Sequence, residues 1–117
     1  MTERKDMASL PVLDREELNH NTMHDRALQE ELFDLMFDQT GVYLNQLRDA
    51  IAARDVGAWK AGAHGIKGTA RSLGLIRLSQ TAAHAETSAR PSPTVVALLE
   101  TACSDAKKAA SAYLADS

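Results

Sequence analysis

Apolar residues recur every three or four positions through four separate stretches of this chain, and an α-helix is the structure that gathers such spacing onto one face. Over 25–53, Phe33, Phe37, Thr40, Leu44, Leu47 and Ile51 are spaced 4, 3, 4, 3, 4, with Leu28, Leu32, Leu35, Met36 and Tyr43 widening the face. Gly41 marks a site for a bend. Over 56–73 the stripe is Val56, Trp59, Ala63, Ile66, Ala70 and Leu73, with Asp55 as N-cap and Gly74 where a left-handed C-terminal cap belongs. Over 75–89 it is Leu75, Leu78, Ala82, Ala85 and Ala89, ended by Pro91-Ser92-Pro93. Over 93–115 it is Val95, Leu99, Ala102, Ala106, Ala109 and Tyr113.

Short connections force consecutive helices to run antiparallel, so the expected fold is an all-α, up-down-up-down four-helix bundle. Asp14 followed by Arg15-Glu16-Glu17 adds a short extra N-terminal helix over 14–20, and residues 1–13 read as a tail before a single domain over 14–117. Aromatic residues make up only 4% of the 117, and β-branched residues form no alternating runs, which disfavours a sheet.

Composition narrows the function. A formal charge of −3 disfavours nucleic acid as the main partner. No apolar run approaches the roughly 20 residues of a membrane helix, so no membrane partner is expected. Cys103 is the only cysteine, which fits a reducing, cytoplasmic setting, and its place beside Ala102 suits a small buried residue. His20 and His24 share the i, i+4 spacing of a metal pair, yet no further ligand set accompanies them and no metal site is assigned. Trp59 reads as core and His84 as surface.

His64 breaks the pattern of its helix. It lies two residues from Ile66, about 200° around the wheel, and so projects away from the core. Its face carries Lys60, Ala61, Lys67, Gly68 and Arg71. Gly62, Gly65 and Gly68 each cost a helix about 0.5–1 kcal/mol against alanine. Local rules broken without structural gain point to function. Gly68, one turn on, leaves the imidazole open, and Lys67 brings an ammonium that would stabilise a phosphoryl group on the ring. An imidazole in its neutral form is a competent nucleophile. Reflected through the turn at Gly74-Leu75, the residue facing His64 is Glu86, whose carboxylate would accept from Nδ1–H and leave Nε2 unprotonated and outward. The same reflection through 54–55 sets Asn45 beside His64, with Val42 and Gln46 nearby.

The run Ala63-His64-Gly65-Ile66-Lys67-Gly68-Thr69-Ala70-Arg71-Ser72-Leu73-Gly74-Leu75 closely resembles the signature of the histidine-containing phosphotransfer (HPt) family: histidine, lysine three later, glycine four later and glycine ten later. The resemblance extends over about 25–115. It implies a phosphocarrier with no kinase activity of its own and no cofactor. His64 would take a phosphoryl group from the aspartate of one receiver domain and give it to another, the receiver supplying Mg²⁺. Lys67 would stabilise charge, Gly68 give access, Gly74 form the turn and Glu86 stand where many members have glutamine. The partners implied are receiver domains of response regulators or hybrid histidine kinases, met by a monomer. Lys60, Lys67 and Arg71, with Arg77 at the edge, would form a basic rim towards an acidic receiver pocket, with Ala61 among them and Val42, Asn45 and Gln46 as further docking residues. Two other functions fit the same helices. The phosphoacceptor part of a histidine kinase resembles a histidine followed directly by an acid, where Gly65 stands here. A plain helical adaptor would bind without any chemistry at His64.

Overall fold

A computed structural model of the chain describes residues 9–88 and 90–116. Five helices and no strands occur among them: α1 Arg15–Thr22, α2 Arg26–Ala53, α3 Val56–Ser72, α4 Ile76–Thr87 and α5 Pro93–Ala115. Four of the five begin at a side chain that accepts from an otherwise orphaned backbone amide: Asp14 from Glu17, Asp25 from Leu28, Asp55 from Ala58 and Ser92 from Val95. Each such cap stabilises its helix by about 1 kcal/mol. α4 has Leu75 at its N-cap position and no such bond. Its first turn is instead held by the chain around Gly74.

α2 packs on α3 and α5, and α4 packs on the same two, so the four long helices enclose one core. Phe33, Leu47, Trp59, Ile66, Leu78 and Leu99 are among its most enclosed large members. Alanine supplies much of the rest, with Ala63, Ala70, Ala82, Ala85 and Ala106 fully buried. Such small residues let the helix axes approach closely. The indole of Trp59 on α3 donates to the carbonyl of Ala85 on α4 at 2.9 Å, and Ser79 on α4 donates to the carbonyl of Lys67 at 3.3 Å. These two bonds fix the α3–α4 register on either side of His64.

α1 closes one end. Leu18 is fully buried, Asp14 N–H donates to the Gly74 carbonyl at 2.8 Å, and Asn21 donates to the Ser72 carbonyl at 3.0 Å. Gly74 has φ +75°, and a Cβ there would stand 2.5 Å from the Asp14 carbonyl oxygen. Only glycine fits both the left-handed conformation and that approach. On the far side of α1, Gln29 is completely buried yet donates to Asn19 and Thr22, each at 2.9 Å, and the Tyr113 hydroxyl donates to the same Asn19 oxygen. Arg26 stacks 4.6 Å over the Tyr113 ring and donates to its carbonyl.

Several details differ from the sequence reading. α1 runs to Thr22 rather than ending at 20, and α4 stops at Thr87, short of the expected 89. Residue 89 and residues 1–8 of the expected tail lie outside the described residues. α2 continues unbroken through Gly41. Leu35, expected on the buried face, is 62% exposed, and Val56 is 40% exposed. On α5 the buried positions are Val96 and Ala110, not Val95 and Ala109. A slip of one residue turns a helix by about 100°, and packing against α2 and α4 selects the face that the stripe alone left open.

Candidate functional site

Asp55 starts α3, and α3 then presses against α2 along two glycines. A Cβ on Gly62 would meet Leu47 at 2.9 Å, and one on Gly65 would meet the Tyr43 ring at 2.3 Å. Both glycines therefore have a packing reason, which overturns the expectation that replacing them would stabilise the chain. Gly68 is different. It is exposed, and a Cβ there meets nothing within 4 Å.

With α3 seated this way, His64 stands outward, its side chain 66% exposed. Nδ1 lies 2.9 Å from Oε2 of Glu86 on α4. The other carboxylate oxygen, Oε1, lies 2.6 Å from the Lys67 ammonium. One carboxylate thus bridges the histidine and the lysine, and the hairpin register predicted from sequence brings Glu86 to the ring. The Lys67 hydrogen bond, with a smaller contribution from His64, holds the Glu86 carboxyl below its ordinary range against an opposing desolvation. Glu86 is accordingly a carboxylate at neutral pH and accepts from Nδ1–H. Nε2 has no hydrogen-bond partner among the described residues, on a side chain that is two-thirds exposed. The arrangement leaves a nucleophilic nitrogen uncovered, its ring oriented by a second group.

Lys60, Ala61 and Arg71 are exposed on the same face of α3. Lys67 does not extend its charge freely into that field, since Glu86 already pairs with it. Arg77 does not join the rim: it donates to the Leu10 carbonyl through Nε at 3.1 Å and Nη2 at 2.7 Å, and reaches within 3.9 Å of Asp105. On α2, Val42 is 59% exposed, Gln46 donates to the Ala58 carbonyl at 3.3 Å, and Asn45 accepts from Arg48 at 2.7 Å. Tyr43, which the periodicity put with the buried face, is the α2 side chain that crosses to α3 next to His64. It also lines a groove of about 480 Å³ between α1, α2 and α3, with Leu32, Leu35, Met36, Gln39 and Thr69. Sequence reasoning missed this groove. The available signal was Leu35, which lies two residues from Phe33 and so cannot share its face.

His20 lies in α1 and His24 beyond its end, so the two do not share a helical turn. The described residues contain no cluster of three or more metal-ligating side chains. Cys103 is buried on α5, and desolvation pushes its thiol pKa up. None of the described helices is long and apolar enough to cross a membrane.

Fold and site together define a helical bundle that displays one braced, solvent-facing imidazole. A family model described as the Hpt domain matches residues 31–109, well over half of the chain, and the chain belongs to that family. No match was found among curated proteins, and none among solved structures.

Proposed function

We propose that this protein is a phosphocarrier of a multistep phosphorelay, in which His64 accepts a phosphoryl group from a receiver-domain aspartate and passes it to a second receiver. The observation that carries this reading is an exposed ring with one nitrogen engaged: the His64 side chain is 66% exposed, and Nδ1 is tied to Glu86 at 2.9 Å. Membership of the Hpt domain family supports the same reaction class.

On loading, the Nε2 lone pair attacks phosphorus, the bond to the aspartyl oxygen breaks, and its electrons return to the donor carboxylate. Onward transfer is the same displacement in the other direction. The proton stays on Nδ1 throughout. The arriving group carries about two negative charges, and Lys67, one turn away on a flexible stem, swings its ammonium towards them. Gly68 leaves room for the receiver's acidic pocket. Mg²⁺, where needed, belongs to the receiver, and ATP is not used.

The docking face we assign comprises Lys60, Ala61 and Arg71 with Val42, Asn45 and Gln46, and the apolar groove at Leu35 and Tyr43 extends it for a receiver's apolar helix. Basic rim and acidic pocket raise encounter rate more than affinity. The Trp59–Ala85, Lys67–Ser79 and Gln46–Ala58 bonds support an antiparallel, up-down-up-down order for α2–α5, with α1 as the extra N-terminal helix of a domain over 14–117. We assign it to the cytoplasm and to a monomeric state.

The test is transfer of label from a phosphorylated receiver domain. Wild type is expected to become labelled and His64→Gln to remain unlabelled. Binding without label on either protein would leave a helical adaptor as the function.

A further inference from the structure

α2 carries a second stripe beside the one it buries. Leu28, Leu32, Leu35, Gln39 and Val42 are spaced 4, 3, 4, 3, the period of a seam that receives another helix. Leu35 and Val42 are exposed, and neither belongs to the buried face that runs from Phe33 to Leu47. Leu32, Leu35 and Gln39 line the groove of about 480 Å³, with Asn21 of α1 and Thr69 of α3 on its other sides. The groove therefore has the shape and period for a helix, and its border says which kind.

Along the outer side of that stripe runs charge of one sign. Between Arg26 and Arg48, α2 holds Glu30, Glu31, Asp34 and Asp38 and no lysine or arginine. All four acids are exposed, and none forms an ion pair among the described residues. Lys107 of α5 reaches the Phe37 ring instead, 5.8 Å from its centroid. Glu31 and Asp38 each stand one helical turn from Leu35, and Asp34 one turn from Asp38. Like charges at such spacing oppose a helix, so the fold gains nothing from this ridge. Local rules broken without structural gain point to function.

We infer that the groove takes an amphipathic helix whose apolar stripe is bordered by lysine or arginine, and that the ridge of Glu31, Asp34 and Asp38 selects it. The inference rests on the phosphocarrier reading for the owner of that helix, a receiver, and adds the charge by which this chain tells one receiver from another. Tyr43 packs beside Gly65 at the His64 end, and Leu35 lies eight residues away, about 12 Å along the helix. One partner spans both. It meets cations at Lys60 and Arg71 of α3 and anions on α2. Only one orientation sets its acidic pocket over α3 and its basic border over α2; turned about, it would face like charges on both. A second copy of this chain does not fit, because it would bring its own acidic ridge against this one.

The experiment uses two synthetic helical peptides of about 18 residues that share one leucine stripe, bordered by lysine in the first and by glutamate in the second. Each carries a fluorophore, and its anisotropy is followed as the full chain is added at low salt. The lysine-bordered peptide is expected to bind at least about tenfold tighter, and the preference to shrink in 1 M salt, where screening acts within about 3 Å. The triple change Glu31→Lys, Asp34→Lys, Asp38→Lys should invert the preference, and Glu31→Gln, Asp34→Asn, Asp38→Asn should abolish it. Leu35→Gln, which alters no charge, should weaken the lysine-bordered peptide at least about tenfold. Equal affinities for the two peptides, or a lysine-bordered peptide indifferent to Leu35→Gln, would overturn the inference, the latter by showing only general attraction to an acidic chain. A receiver that loads His64 of wild type should load the lysine triple variant at least about tenfold more slowly, and equal rates would also overturn it while leaving His64 as phosphoacceptor. Phosphate that never appears on His64 of wild type would instead remove the phosphocarrier reading, which the peptide preference does not test.

Discussion

Gly68 offers a substitution for which stability and function should part company. It lies in the interior of α3, it is exposed, and the space where its Cβ would stand is empty to 4 Å. Nothing in the fold requires glycine there. Alanine at an exposed helix interior gains about 0.5–1 kcal/mol over glycine. For a chain of this length, that raises the melting temperature by about 2–4 °C. A side chain at position 68 also leans towards the N-terminus of the helix, onto the turn that carries His64. Gly68→Leu should keep the melting point at or above wild type while covering Nε2. Misplacing the approaching phosphorus by even an ångström costs orders of magnitude in rate, so transfer from a phosphorylated receiver should slow at least about tenfold. Thermal melts by circular dichroism and quenched label transfer measure the two effects on the same samples. Gly65→Ala is the control, because its methyl must displace the Tyr43 ring, at a cost of about 1–3 kcal/mol. A Gly68→Ala variant that melts below wild type, or a Gly68→Leu variant that transfers at the wild-type rate, would refute the reasoning.

Three further expectations follow from the same geometry. Gly74→Ala forces a left-handed conformation on alanine and a carbon against the Asp14 carbonyl, and urea denaturation should show a loss of about 2–4 kcal/mol. Lys67→Ala should slow loading of His64 while leaving the melt nearly unchanged, since the pair with Glu86 is a surface contact; a collapse of the melt would make Lys67 structural. The Glu86 carboxyl is held below its ordinary value of 4.5, chiefly by Lys67. Its contribution to stability is therefore complete above that value, the unfolded chain's, and is lost as pH falls through the lower folded value. Denaturation midpoints of wild type and Glu86→Gln should differ only slightly at neutral pH, as befits a surface pair, and converge in acid below 4.5.

The helices were legible because their signals are local. Asp14 and Asp55 cap within three residues, proline ends what it cannot continue, and Gly74 supplies a backbone conformation other residues resist. His64 was legible for the same reason, as a polar residue about 200° from its own core stripe. Glu86 could be found because a short turn fixes which residues face one another. What escaped depends on neighbours from other helices. Gly62 and Gly65 read as functional gaps until Leu47 and Tyr43 are seen to fill them. Leu35 read as core, though α2 turns it towards a groove. Arg77 read as part of the basic rim, though Leu10 and Asp105 hold it elsewhere. Gln29 gave no sign of burial, because its partners Asn19 and Thr22 come from α1 and look like ordinary surface residues in sequence. The charge on Lys67 was visible, but its neutralisation by Glu86 is a three-residue arrangement that no single spacing encodes.

Where the phosphate resides tests the central claim most directly. Wild-type chain incubated with a phosphorylated receiver, then digested and mapped by mass spectrometry in alkaline buffer, should carry phosphate on the peptide containing His64, in a linkage that acid removes. Phosphate on any other residue, or an acid-stable linkage, would contradict the account.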